Sequence, residues 1–384
     1  MGRRFWAGVL ALCICLAGCA GAEKEPGEVS SHLLGGGESS PAESRESGPE
    51  EAPPLSFDLR ALPSEKVESA LFGDSFSHTC VNAGVRALEW AGEDRLLLLT
   101  AREELLMPVE FRVFSWAPST GETALLADLS DPAGNLSVQG SFVREGTPYL
   151  VFNQKAAPRL LSLTQEGGDP IPLSWLNGQP SRTGLGVRDN MPEMEIYDLL
   201  EPEGTVAKFQ CQAGEWFESL SPDGDYLVFR VENKPAFAVY ALDGRRLAEI
   251  SPLYLNWRWC ETPGYLNYSP VDNPRHTVLL DLERGTETVL PIDPEWNCET
   301  LLVEPEFSLL RMLDGETGAE SIQLLDNRTG TLNPLGIVPG EGRTFAGQLV
   351  AYDPERTAAA ILSFTTAPDG SDRRAEGYLL KLTF

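Results

Sequence analysis

Glycine recurs in tight polar turns at positions 121, 168, 204, 244, 285 and 330, with spacings of 47, 36, 40, 41 and 45 residues. Each turn precedes a short β-rich run, as in Ser119-Thr120-Gly121-Glu122 and Arg328-Thr329-Gly330-Thr331. A corner that returns every ~42 residues is the mark of a four-stranded repeat unit. One such small sheet is marginal by itself, so units of this kind stack around a common axis and cover one another's faces. The spacing therefore predicts an all-β fold, a β-propeller of four-stranded blades. The chain of 384 residues is 42% apolar, enough to fill the cores between blades.

One unit is legible strand by strand. Strands are expected at 216–220, 225–231, 236–242 and 245–250, joined by the turns Ser221-Pro222-Asp223-Gly224 and Asp243-Gly244. The runs Tyr149-Leu150-Val151-Phe152, Tyr226-Leu227-Val228-Phe229 and Tyr265-Leu266-Asn267-Tyr268 read as one inner strand in three copies. The last unit, with strands at 347–352, 358–365 and 377–384, stops one strand short. Residues 55–62 are expected to supply it, closing the ring and leaving no open sheet edge. Seven blades are expected; six stay open because the inner strands of 178–211 are faint. The segment from Ser221 to Phe229 resembles the repeat of TolB-like propellers, relatives of the WD-type repeat. That resemblance implies the same architecture for residues 55–384. It implies no partner, since 35 non-globular residues stand where the TolB proteins have a folded N-terminal domain.

The N-terminus reads as an address. Arg3 and Arg4 precede an apolar stretch, residues 5–16, too short to span a bilayer. The segment ends in Leu16-Ala17-Gly18-Cys19, which resembles the lipobox of bacterial lipoproteins. The resemblance implies a signal peptide of residues 1–18, cleavage between Gly18 and Cys19, and acylation of Cys19. The expected location is the outer face of the cell membrane, with the bilayer as partner through the acyl chains. Residues 20–54 hold 17 Gly, Pro or Ser and a net charge of −6, and are expected to form a disordered acidic tether.

Charge and composition narrow the function. With 57 Asp and Glu against 30 Lys and Arg, the net charge is −27, which argues against nucleic acid as a partner. Three histidines (His32, His78, His276) leave little material for His-based chemistry, and no cofactor motif or metal-ligand spacing is present, so no cofactor and no metal are expected. Asp223 and Asp225 read as turn residues rather than calcium ligands. Trp90, Trp216, Trp257, Trp259 and Trp296 are expected near the starts of innermost strands, with Glu89, Glu215, Glu261 and Glu295 beside them. That placement would build an aromatic and acidic rim at one channel mouth, against the alternative that the tryptophans pack between blades. Cys260 and Cys298, each taken to open a blade, are a candidate disulfide; buried free thiols are the alternative, and the four cysteines at 80, 211, 260 and 298 allow three pairings. Two functions remain open: a surface-tethered binding or scaffold module for a protein, peptide or glycan, and a propeller hydrolase or lyase acting on carbohydrate.

Overall fold

A computed structural model describes residues 55–72, 85–104, 107–130, 136–164, 169–173, 176–201 and 203–384. The lipobox and tether, His32, His78, Cys80 and Trp175 lie outside them. Seven antiparallel sheets follow one another along the chain, six of four strands and one of three. They are the seven blades, numbered here in chain order, with strands a to d running from the channel outward. The innermost strands are Val85–Gly92, Leu136–Arg144, Glu215–Leu220, Pro252–Trp259, Cys298–Val303 and Thr344–Asp353 in blades 1, 2, 4, 5, 6 and 7. Blade 4 has its strands at Glu215–Leu220, Tyr226–Val231, Phe237–Ala241 and Arg246–Ile250, within a residue or two of the expectation.

Blade 3 is the three-stranded sheet, Leu185–Asn190, Glu193–Asp198 and Thr205–Gln210. Its innermost position is filled by an irregular segment, 177–181, held by the single bridge between Asn177 and Val187 and by the Ser181 amide on the Leu185 carbonyl. The sequence there, Asn177-Gly178-Gln179-Pro180-Ser181, explains the faint signal, because Pro180 has no amide to donate to a ladder.

The ring closes as the sequence implies. Strand Ser56–Leu62 pairs antiparallel with strand Arg374–Thr383 along its whole length, from Ser56 opposite Thr383 to Leu62 opposite Gly377. Blade 7 thus combines three C-terminal strands with one N-terminal strand. The Leu55 amide donates to Asp326 Oδ2 in the c–d turn of blade 6, so the chain enters the ring on the side of the a–b and c–d turns.

Burial follows from stacking. Middle strands are covered on both faces, as in Phe237–Ala241 and most of Ala358–Thr366, and so read as continuous apolar runs. Seven hydrophobic clusters among the described residues coincide with the seven seams between neighbouring blades. Innermost strands in blades 1, 2, 4, 5, 6 and 7 each carry a register shift. An extra residue there strengthens the twist where the sheets converge on the axis. The periodic glycines 121, 244, 285 and 330 hold positive φ (65–83°) in the c–d turns, a region that disfavours other residues.

Candidate functional site

The expected rim is divided. Trp216 lies at the start of an innermost strand, and Trp296 and Glu295 just before one. Trp90, Trp257 and Trp259 lie instead at strand ends, with Glu89 and Glu261 beside them. Innermost strands all run the same way, so these two groups occupy opposite mouths of the channel. The sequence shows that a tryptophan belongs to such a strand but not which end it occupies until the strand bounds are known.

Most of the tryptophans are packing residues. Trp90 Nε1 donates to the Ala351 carbonyl (3.1 Å) across the seam between blades 1 and 7, under the Arg356 guanidinium at 5.5 Å. Trp257 contacts Phe237 (5.7 Å) and Trp259 (5.9 Å), and Trp259 Nε1 donates to Ser219 Oγ (3.1 Å) in blade 4. Trp296 is half-buried against the cluster between blades 5 and 6. Trp216 alone of the five is exposed, at 53%. Glu215 is buried and committed: it accepts from Tyr240 Oη (2.6 Å) and the Gln212 amide (3.1 Å), and pairs with Arg246 at 3.5 Å. Glu295 is an exposed partner of Arg275.

Cys260 and Cys298 are free thiols, and the candidate disulfide is corrected. Cys260 follows the end of the innermost strand of blade 5, whereas Cys298 opens that of blade 6. At ~3.3 Å per residue the two ends of such strands lie ~20 Å apart, far beyond the reach of a disulfide. Burial pushes the Cys260 thiol well up, so it stays protonated and unreactive; Asn267 Nδ2 lies 3.7 Å from its sulfur. Cys211 is also free and buried.

What does assemble is a polar belt at the mouth formed by the a–b turns. Two of these turns are built alike. In blade 3, Ser181 Oγ accepts the Leu185 amide; in blade 4, Ser221 Oγ accepts the Tyr226 amide, both at 2.9 Å. Gly184 and Gly224 complete them at φ +81° and +88°. The blade 3 turn docks on that of blade 4 through the Arg182 amide to the Pro222 carbonyl (2.7 Å) and Thr183 Oγ1 to the Asp223 carbonyl (3.3 Å). From there the Arg182 guanidinium reaches Glu261 in the turn of blade 5. It also feels the charges of Glu89, Glu304, Asp353 and Asp223 on blades 1, 6, 7 and 4.

Glu304 is the buried member. It is fully covered, and its two oxygens accept the amides of Glu261 (2.8 Å) and Thr262 (2.9 Å), clasping blade 6 to blade 5. Desolvation pushes its carboxyl up to about 7, against the two amides and Arg182. Desolvation also raises Glu89, whose carboxylate accepts from Ser141 of blade 2. Arg356 links blade 7 to blade 1 through the Gly92 carbonyl (2.6 Å). Asp223 Oδ1 accepts Ser221 Oγ and the Asp225 amide, so this pair closes a turn. Among the described residues, no group of three His, Cys, Asp or Glu side chains is placed to hold a metal ion.

Arg182, the centre of the belt, escaped the sequence reading because it sits beside the irregular strand. The signal was there: Ser181-Arg182-Thr183-Gly184 repeats the spacing of Ser221-Pro222-Asp223-Gly224. A separate cleft of about 210 Å³ lies between blades 1 and 2, lined by Arg95, Ser115, Thr147 and Leu163 among others; none of the predicted rim residues reaches it.

No protein-family profile matches this chain. No curated protein sequence matches it either. Solved structures with a similar course of the chain include a prolyl endopeptidase, 13% identical with a TM-score of 0.47 over 84% of this chain. This chain spans about half (52%) of that enzyme's length. Another is the β-propeller domain of the Trilobed protease from Pyrococcus furiosus, which has an open velcro topology; it is 10% identical, with a TM-score of 0.45 over 76% of this chain and 97% of that domain. A third is the dihydro-heme d1 dehydrogenase NirN, 13% identical with a TM-score of 0.41 over 79% of this chain and 68% of that one. The fold assignment rests on the seven sheets themselves.

Proposed function

We propose that the protein is a lipid-anchored, extracytoplasmic binding and scaffold module whose propeller holds a protein or peptide. The observation that carries this reading is the belt of turn-to-turn contacts around Arg182. It commits charged side chains to one another and locks successive blades together, which leaves a preformed surface that loses little freedom on binding. The sequence Leu16-Ala17-Gly18-Cys19 supports the anchor. A glycan platform or a carbohydrate hydrolase needs aromatic faces and acids at one mouth, whereas here every rim tryptophan but Trp216 packs in a seam and the acids divide between two mouths. Two measurements test the proposal. Cys19→Ser should move the protein from the membrane to the soluble fraction, and retention in the membrane would overturn the anchor. Cross-linking of intact cells should trap the anchored protein in a discrete complex with another protein; adducts confined to lipid or glycan would overturn the binding role.

A further inference from the structure

Nine large apolar side chains are exposed among the described residues. Phe57, Leu125, Ile171 and Val206 are scattered one to a blade along outer strands of blades 7, 1, 2 and 3. The rest gather on blades 4, 5 and 6. Four of them lie at the b–c turns and d–a connections, on the face opposite the Arg182 belt. These are Trp216 (53% exposed) at the start of blade 4, Val271 (47%) after the second strand of blade 5, Leu313 (40%) ending the second strand of blade 6, and Val338 (51%) after its outer strand. Scattered single apolar residues need no explanation, but a set on three consecutive blades of one face does.

We propose that this face of blades 4–6 docks a protein segment whose apolar residues are flanked by Lys or Arg. The inference rests on the binding-module reading above and gives that reading a face and a partner chemistry. Charge complementarity selects the flanks. Asp272, Asp314, Glu316 and Glu341 are exposed beside Val271, Leu313 and Val338. Nearby cations are already engaged, Arg275 by Glu295, Arg311 by Glu320 and Lys234 by Glu249. The field over the apolar set is therefore negative, which repels acidic partners and steers basic ones. An exposed indole in such a setting offers a large contact at low entropic cost, the usual character of a binding anchor. Pro270, Pro274, Pro291 and Pro294 stiffen the surrounding connections. The face also lies on the opposite side of the ring from Leu55.

The test uses the full lipidated chain in its own membrane, with a photoreactive benzoylphenylalanine placed in turn at Leu313, at Thr183 on the opposite mouth, and at Leu125 on the perimeter. The expected result is a discrete protein adduct from position 313. It should fall at least tenfold in Trp216→Ala and in Val271→Asp, both confirmed as folded by unchanged melting. The cross-linked peptide should carry apolar residues between Lys or Arg. An adduct no stronger than that from position 125, one indifferent to both variants, a net acidic cross-linked peptide or a second copy of this chain would overturn the proposal. An adduct from position 183 with none from 313 would overturn this face while leaving the binding-module reading in place. No adduct from any position would overturn both.

Discussion

Glu304 shows how one residue couples the ring to pH. Its carboxyl is pushed up to about 7 by burial, against an ordinary value of 4.5 in the unfolded chain. The folded state therefore holds the proton more tightly than the unfolded state between these values. Its contribution to stability is full below pH ~4.5 and is lost as pH rises through about 7, a change on the order of 3 kcal/mol. Arg182, Glu306 and the amides of Glu261 and Thr262 set that balance. Glu304→Gln, shaped like the protonated acid, should flatten the difference in denaturation midpoint between pH 5.5 and pH 8; an unchanged difference would show that Glu304 does not titrate in this range. Phe229 tests the seams. It is fully buried, with Phe209, Phe217 and Tyr240 within 5.2–6.1 Å of its ring. Phe229→Ala should cost roughly 3–5 kcal/mol in chemical denaturation, and a loss below 1 kcal/mol would contradict close packing between blades 3 and 4.

At the scale of elements, the seam between blades 7 and 1 is the tightest test of the closing strand. A Cβ added to Gly377 would come within 2.5 Å of Trp116 Cη2 and 3.3 Å of Leu62 Cβ. Gly377→Ala should therefore destabilise by about 1–3 kcal/mol through overpacking, read as a lower melting temperature; no change would mean that Trp116 and Leu62 do not meet there. Elements like blade 4 were legible because a turn signal brackets each strand and the buried middle strands are apolar throughout. Tyr149, Tyr226 and Tyr265 mark the second strand of blades 2, 4 and 5, the same inner strand in three copies. The innermost strand of blade 3 was not legible, since Gly178 and Pro180 break its pattern and one bridge holds it. The rim failed for a different reason. Apolar content shows that Trp90, Trp257 and Trp259 are inside a sheet stack, but only strand direction shows that they close their strands and face a seam. Arg182 could have been found by aligning the serine-to-glycine turns, which carry no apolar signal and are anchored by hydroxyl-to-amide bonds instead.

For the whole molecule, the net charge of −27 becomes a spatial statement. Residues 55–384 carry a net charge of −23. At the mouth around Arg182 the acids are tied into the clasp between blades, whereas on the opposite face they surround exposed apolar side chains. If residues 20–54 serve only as a tether, deleting residues 23–51 should leave the melting temperature unchanged, and a shift of several degrees would show that they pack on the ring. The account as a whole depends on closure by the strand Ser56–Leu62, which completes blade 7 alongside the three C-terminal strands. Hydrogen exchange of the full chain measures this directly. Closure predicts that amides of residues 56–62 bonded to strand Arg374–Thr383 are protected to the same degree as those of the middle blades and are lost in the same cooperative event. Rapid exchange of 56–62 while 374–383 and the other blades stay protected would contradict it.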